Sequence, residues 1–246
     1  MTVSAFRLDR FEVTEGRFRK FRSAWVAGWR PAGGAGKHRH LPGGGFAGET
    51  GWLSSWNAQV DSNLMETGGG GLKCGGSWAW SSQPDASENT FMNCPNWYSS
   101  YAFCIWDGGF LPSEREFEYT ASGGQDRVFP WSNPPSSDSI DATRAAYDNN
   151  QGRLVPGSLP AGGGRWGHDD LGGNAREWVL DWYDENAGSI ACTDCANAGP
   201  EAGLANRVER GGSFYYSSTW LRGAARGQAA PDGQDDTLGF RCARSP

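Results

Sequence analysis

The sequence predicts a compact, loop-rich fold held together by aromatic packing, and it argues against a helical bundle. Of its 246 residues, 37 are glycine and 13 are tryptophan, whereas 3 are methionine. Glycine supplies turns with positive φ at little steric cost. Tryptophan needs packing partners and an acceptor for its ring N–H. The two together are typical of irregular segments that pack through large rings.

Charge and hydropathy argue against two classes of partner. The formal net charge is −6 and no run of five or more basic residues occurs, which argues against nucleic acid as the main partner. No segment approaches 18 consecutive apolar residues, so no membrane span is expected. The length suits one domain. We expect residues 1–246 to form it, with an irregular Gly/Trp-rich insertion at about residues 28–92.

One strand and one helix are predicted at the start of the chain. Residues 6–13 alternate well enough for a strand. Thr14 then fits an N-cap, because its hydroxyl can accept a hydrogen bond from the first turn. Phe18, Phe21 and Trp25 recur at helical spacing and give the helix one apolar face.

Two further helices follow the insertion. Asn96 fits the N-cap of a helix over residues 97–106, and Asp107-Gly-Gly ends it. In the next helix, Ser113 and Glu116 have the spacing of a capping box, in which each side chain satisfies the other's free backbone N–H. Strands are then expected at residues 178–182, 207–214, 222–228 and 239–243.

Cysteine usage points to an oxidising compartment. Six cysteines are an even number and no secretory leader is visible, so we expect an extracellular or periplasmic protein whose leader was removed. A cytoplasmic protein with reduced thiols is the alternative. Cys74 and Cys94 flank a Trp-rich loop and are expected to form a bridge. Cys192 and Cys195 fit a redox pair or a short structural disulfide, and the surrounding sequence favours the disulfide.

Six segments, in order along the whole chain, carry a family resemblance. They are Phe11-Glu-Val-Thr14, residues 96–119, Phe129-Pro-Trp131, Leu171-Gly-Gly-Asn-Ala-Arg-Glu-Trp178, Arg210-Gly-Gly-Ser213 and Leu238-Gly-Phe-Arg-Cys242. Together they resemble the formylglycine-generating-enzyme, or sulfatase-modifying factor, superfamily. The segments at 171–178, 210–213 and 238–242 are called the second, third and closing signatures below. The resemblance implies an α+β fold related to C-type lectins, with little regular secondary structure and a mostly antiparallel sheet core. It also implies a disulfide between Cys104 and Cys242.

The family oxidises a substrate cysteine to formylglycine with copper, and this chain departs from the family at the metal. The family's copper is held by two thiols that lie shortly after the Arg-Gly-Gly-Ser motif, and soft thiolates suit Cu(I). Residues 214–226 contain no cysteine. We therefore expect a divergent member without the catalytic cysteine pair, with no copper and no competence for formylglycine generation.

The three histidines give weak signals for another metal. His38 and His40 lie on one side of an extended segment and can approach one ion together. Lys37 and Arg39 disfavour a bound cation there, so we expect two exposed polar residues instead. His168 lies between a glycine and two aspartates, and we interpret it as part of a polar loop.

Calcium suits the second signature better. Carried over by position, one family site would use the carboxylates of Asp170 and Glu177 and the carbonyls of Gly173 and Ala175. All four are hard oxygen donors, which calcium prefers, so we expect Ca²⁺ at this one site. The alternative is that both carboxylates accept hydrogen bonds from amides of the turn.

The segment after the third signature corresponds to the family's substrate groove. It is rich in Tyr, Trp and Arg, which dominate binding hot spots, although aromatics in the core and solvated arginines are the alternative. We expect a non-catalytic, exported module that binds a peptide, glycan or protein near the former active site. A metal-dependent oxidoreductase with a non-standard site is the other hypothesis. The candidate ligand-binding residues are Arg176, Ser213, Tyr215, Tyr216, Trp220 and Arg222.

Overall fold

The computed structural model describes residues 2–39, 49–64, 71–74, 80–187, 193–199 and 204–246. Within these residues, four α-helices and six short strands are joined by turns and 3₁₀ segments. The helices are α1 (Glu15–Val26), α2 (Asn57–Asn63), α3 (Trp97–Trp106) and α4 (Glu114–Ala121). The strands are β1 (Arg7–Leu8), β2 (Arg176–Trp182), β3 (Arg207–Arg210), β4 (Gly227–Ala229), β5 (Leu238–Gly239) and β6 (Ala243–Arg244).

The strands form one four-stranded sheet and one two-stranded sheet. The larger sheet has the order β4-β3-β2-β5, and the smaller one pairs β1 with β6. The β2–β3, β3–β4 and β1–β6 pairs are antiparallel, whereas β2 and β5 are parallel. The predicted loop-rich α+β fold with a mostly antiparallel sheet is thus confirmed.

The helix signals read from the sequence are confirmed in detail. The Thr14 hydroxyl accepts a hydrogen bond from the Arg17 amide at 3.3 Å, and the apolar face of α1 is buried. At α4, the Ser113 hydroxyl accepts from the Glu116 amide at 3.2 Å, and the Glu116 carboxylate accepts from the Ser113 amide at 2.7 Å. This is the reciprocal capping box that the spacing predicts.

The strand predicted at residues 178–182 is confirmed and begins two residues earlier, at Arg176, whereas the other predicted strands are longer than the observed ones. Residues 6–13 contain only the two-residue strand β1, and residues 207–214 form a strand only as far as Arg210. Gly211 and Gly212 follow with φ of 92° and 66°, a backbone that leaves the extended conformation. Of the segment predicted at 222–228, only residues 227 and 228 lie in β4, and the segment predicted at 239–243 is divided between β5 and β6.

The main core lies between α1, α3 and the closing segment of the chain. The Phe18 and Phe103 rings stack with centroids 5.8 Å apart, and both approach Phe240 edge-on. The insertion joins this core through Trp52, which is buried and lies edge-on to Tyr101 at 5.9 Å between ring centroids. Aromatic packing therefore holds the loop-rich parts in place.

Two disulfides are formed between described cysteines. Cys104 of α3 is bonded to Cys242, and Cys74 is bonded to Cys94, as predicted. Cys195 is also disulfide-bonded. The other half of the predicted short pair, Cys192, lies outside the described residues. No helix within the described ranges is long and apolar enough to cross a membrane.

Candidate functional site

A cleft lies beside the turn that follows β3, at residues 211–216. After β3, the two glycines with positive φ turn the chain inward, and a Cβ on Gly212 would lie 2.8 Å from the Trp220 carbonyl oxygen. The following Phe214 is buried, whereas Tyr215 is 61 % exposed. Phe214 thus packs into the protein after the turn, and Tyr215 points to the surface.

The cleft beside this turn has a volume of about 350 Å³. Tyr215 and Tyr216 form one wall, and their rings meet edge-on with centroids 6.0 Å apart. The opposite wall comes from two distant loops. The residues that line the cleft are Asn149, Phe214, Tyr215, Tyr216, Asp235, Asp236 and Thr237.

Arg176, at the start of β2, stabilises this wall from behind. Its guanidinium forms ion pairs with Glu209 and with Asp235, the latter at 3.0 Å between Nη2 and Oδ1. Its Cζ lies 5.0 Å from the centroid of the Tyr216 ring. Burial lowers the pKa of Arg176, but the nearby Glu209 and Asp235 carboxylates outweigh it and raise the pKa above its ordinary value. Arg176 is therefore a fixed cation beneath the tyrosines.

The other candidate ligand-binding residues are placed differently. Trp220 packs against Tyr216 with ring centroids 5.5 Å apart and is 42 % exposed. Ser213 is fully buried, and its hydroxyl accepts a hydrogen bond from the Tyr215 amide at 3.3 Å. Arg222 is exposed and lies outside the cleft lining. The structure therefore brings Tyr215 and Tyr216 into the cleft, supported by Arg176 and Trp220.

The loop residues of the cleft were missed in the sequence. Asp235, Asp236 and Thr237 directly precede the closing signature, and Asn149 follows a second loop. Asp148 and Asn149 have φ of 52° and 56°, a conformation that is uncommon for residues other than glycine. Their amides donate to the carbonyls of Tyr216 and Phe214 at 2.9 and 2.8 Å. An aspartate-rich stretch before the closing signature was the signal available.

The cleft does not suit copper. Its described walls offer phenol, carboxylate, amide and hydroxyl groups, and these are poor ligands for Cu(I) compared with thiolates. Within the part of the chain that the structure describes, every cysteine is disulfide-bonded. The residues present therefore do not fit the family's copper centre.

The candidate calcium turn lies on the other side of β2. Asp170, Gly173 and Asn174 all have positive φ, at 56°, 98° and 59°. The Asp170 carboxylate accepts a hydrogen bond from the Gly157 amide at 2.5 Å. Glu177 is fully buried, and both of its oxygens accept hydrogen bonds from Arg241, the shortest at 2.7 Å. The turn thus holds both predicted carboxylates in fixed positions.

Acidic side chains outnumber basic ones around this turn. Glu12 is buried beside it and accepts hydrogen bonds from the Asn174 side chain and the Ala175 amide, at 2.9 and 3.1 Å. Burial, followed by repulsion from Asp170 and Glu177, raises the pKa of Glu12 well above its ordinary value. Among the described residues, no three His, Cys, Asp or Glu side chains converge on one metal position. A cation here would need backbone carbonyls as well.

Two histidines have unexpected surroundings. His38 is buried, and the expectation of an exposed residue is wrong. Its ring nitrogens lie 3.0 Å from Glu49 and 3.2 Å from Glu116. Burial alone lowers the pKa of His38, but these two carboxylates raise it to about 9. His40 lies outside the described residues. His168 lines a second cavity of about 440 Å³ beside Tyr119 and Trp166.

The chain is similar to known proteins in sequence and in fold. The chain is 29 % identical to the bovine (Bos taurus) formylglycine-generating enzyme over 269 residues, covering 99 % of this chain and 66 % of that protein. It is 28 % identical over 174 residues to the mouse (Mus musculus) protein named inactive C-alpha-formylglycine-generating enzyme 2, covering 61 % of this chain and 47 % of that one. The structure of PvdO from Pseudomonas aeruginosa superposes with a TM-score of 0.63 at 22 % identity, covering 98 % of this chain and 80 % of PvdO.

The extent of these matches fixes what they establish. The chain spans about half to two thirds of the length of the curated relatives it matches first. The family model described as the sulfatase-modifying factor enzyme 1-like domain matches residues 1–246. The chain therefore belongs to the sulfatase-modifying factor family.

Proposed function

We propose that this chain is a non-catalytic member of the family that binds a ligand in the cleft formed by Tyr215 and Tyr216. The observation that carries the proposal is a cleft lined by Tyr215, Tyr216, Asp235 and Asp236. The two tyrosines lie in the segment after Arg-Gly-Gly-Ser, which by resemblance corresponds to the family's active site. Arg176, fixed by Glu209 and Asp235, lies behind the cleft wall. A rigid scaffold that presents variable loops is a common basis for binding without catalysis.

A selection from a random heptapeptide display library tests the binding function. We expect the wild-type chain to enrich a family of peptides and Tyr215→Ala to enrich none of them. Trp166→Ala is the matched control, because Trp166 is also an exposed aromatic residue and lies at the second cavity. Equal enrichment by Tyr215→Ala would overturn the assignment of binding to this cleft.

Oxygen uptake tests the non-catalytic part separately. We mix the chain with Cu(I), a cysteine-containing peptide and excess thiol. We expect oxygen consumption no faster than in the same mixture without the chain. The physical reason is the lack of a thiolate pair, since the other described cleft groups hold Cu(I) poorly. Oxygen uptake that depends on the chain would favour the oxidoreductase hypothesis.

We also propose that one calcium ion stabilises the turn of Asp170 and Glu177. The donors are all oxygens, and three buried carboxylates, those of Glu12, Asp170 and Glu177, surround the single guanidinium of Arg241. A carboxylate has about four lone-pair positions, so Glu177 can serve Arg241 and an ion together. The carbonyls of Gly173 and Ala175 are proposed as further ligands because of the family resemblance.

Thermal unfolding in Ca²⁺, Mg²⁺ and chelator tests the calcium site. At a hundredfold excess over Kd, a specific ion stabilises the folded state by about 2.7 kcal/mol. We expect Ca²⁺ to raise Tm more than Mg²⁺, and Asp170→Ala to abolish the difference. Asp138→Ala, a change at an exposed aspartate, is the control. An equal response to both ions, or in both variants, would contradict the site.

For localisation, we propose the cell exterior or the periplasm. Bonded cysteine pairs persist in oxidising compartments and are rare in the cytosol, and Cys74–Cys94 and Cys104–Cys242 are both bonded. Thiol labelling of the protein, taken directly from cells and unfolded in denaturant without reductant, tests this. Labelling of Cys104 and Cys242 without prior reduction would favour the cytoplasmic alternative.

A further inference from the structure

The cleft has an excess of negative charge. The carboxylates at or directly behind it belong to Glu209, Asp235 and Asp236, and the cation associated with them is Arg176. None of the described lining residues is Lys, Arg or His. The cleft and the wall behind it therefore hold three carboxylates and one guanidinium, and a ligand that enters meets Asp235 and Asp236.

Asp236 is the less well paired of the two carboxylates that line the cleft. Asp235 is held by Arg176 and also accepts hydrogen bonds from the Thr237 amide and hydroxyl, at 2.8 and 2.5 Å. Asp236 forms no ion pair with any described residue, although its carbonyl oxygen accepts from the Asn93 side chain at 3.2 Å. Partial burial and the neighbouring Asp235 raise the pKa of Asp236, and the more distant charges of Arg176 and Arg153 offset only part of this rise. A cation from outside would relieve this repulsion.

The tyrosines add a second attraction for a cation. The face of a phenol ring attracts ammonium and guanidinium groups because of its quadrupole. Arg176 already uses Tyr216 in this way from behind the wall. Tyr215 remains 61 % exposed at the mouth of the cleft. Carboxylate and open aromatic ring thus act on a ligand of the same charge.

The size of the cleft selects the form of that ligand. A volume of about 350 Å³ lies at the small end of the range of about 300–1,000 Å³ for small-molecule sites. One long side chain with its adjoining backbone fills such a space. Asn149 lies on the wall and offers a polar side chain to that backbone, whereas the Thr237 hydroxyl is already bonded to Asp235 and Arg176.

We propose that the cleft binds the ammonium or guanidinium group of a lysine or arginine side chain presented by a polypeptide partner. The inference rests on the proposed binding function and names its ligand class. In it, Asp236 pairs with the cation, and Tyr215 covers the cation and its aliphatic stem. Arg176 keeps Tyr216 and Asp235 in position without touching the ligand.

The heptapeptide selection, repeated with variants at Asp236, tests this class. We expect the wild-type peptides to share Lys or Arg at one position, and replacement of that residue by norleucine to abolish binding. Asp236→Asn should weaken binding about two- to fivefold, the size of one partly exposed ion pair, because the ring of Tyr215 is kept. Asp236→Lys should enrich peptides with Asp or Glu instead. Asp138→Lys repeats the charge change at an exposed aspartate outside the cleft lining.

The outcomes separate the two proposals. Peptides that need Tyr215, lack a basic residue and ignore Asp236→Asn would overturn the cationic ligand and leave the binding function standing. No enrichment beyond that of Tyr215→Ala would overturn both. N-acetyl-lysine methylamide and spermidine serve as free amines. Binding of either as tightly as the selected peptide would overturn the polypeptide partner.

Discussion

Arg176 and Glu177 are neighbours on β2, and their side chains belong to two different environments. Successive side chains of a strand point to opposite faces. Glu177 points inward and is bonded to Arg241, and both are fully buried. Arg176 lies toward the cleft and pairs with Asp235, whose side chain is 44 % exposed. The inner pair fastens the fold, whereas the outer pair shapes a surface that a ligand can reach.

This comparison explains how the family scaffold persists without the family's thiols. The inner environment includes the backbone of the chain's first segment, since Arg241 also donates to the Arg10 and Asp169 carbonyls, each at 3.0 Å. Changes there disturb several segments together. The outer environment is built from loops that meet only at the cleft, so its residues can change with less effect on the fold.

Breaking the inner pair should have the largest effect. Arg241→Met leaves Glu177 buried without its partner, and removal of one member of a buried ion pair costs about 3–5 kcal/mol. We expect a loss of this size in the free energy of unfolding, measured by urea denaturation. Arg10→Met is the matched control, because Arg10 pairs with Asp169 at 2.8 Å but is 62 % exposed. Its loss should stay below about 1 kcal/mol, and equal losses would contradict the comparison.

The buried pair of His38 with Glu116 should give the next largest effect, and it depends on pH. The folded-state pKa of about 9 exceeds the ordinary value of 6.5. The stabilisation is therefore complete below about pH 6.5 and is lost as pH rises through 9. At about 1.4 kcal/mol per unit, the loss is about 2–4 kcal/mol. It should be seen as the difference in unfolding free energy between wild type and His38→Gln from pH 6 to 10.

His168→Gln is the control for that pH profile. Burial lowers the pKa of His168, so its titration lies below the alkaline range and this variant should keep the wild-type loss. A difference between wild type and His38→Gln that stays constant from pH 6 to 10 would contradict the charged pair. It would leave a neutral His38 that hydrogen-bonds Glu49 and Glu116.

The sequence predicts the parts of this molecule that depend on local signals. The capping box of Ser113 and Glu116 and the apolar face of α1 are each contained within a few residues, and both are confirmed. The burial of His38 was not predictable, because Glu116 lies 78 positions away and comes near it only in the fold. Its charged neighbours in sequence suggested a solvated loop instead.

The cleft was predicted in part for the same reason. Tyr215 and Tyr216 follow a recognisable signature, so their region was named. Asn149 and Asp236 come from loops that are separated from them in sequence, and folding alone brings them to the opposite wall. The third signature also suggested that Ser213 is accessible, whereas the turn of Gly211 and Gly212 buries it.

Breaking the outer pair should have the smallest effect on stability and a clear effect on binding. Arg176→Met removes the ion pairs with Glu209 and Asp235 and the cation behind Tyr216. The partly exposed Asp235 loses little, but the buried Glu209 loses its partner. We therefore expect a cost of about 1–3 kcal/mol in unfolding free energy, less than for Arg241→Met. The variant also frees Asp235 to face the ligand, which adds negative charge to the cleft. Peptides selected on wild type should therefore bind Arg176→Met with an altered Kd, and basic peptides should bind it more tightly.

The variants Arg176→Met and Arg241→Met, compared by urea denaturation and by peptide titration, should separate effects on stability from effects on binding. If Arg176→Met destabilised the fold as much as Arg241→Met and left peptide binding unchanged, the two faces of β2 would share one structural role.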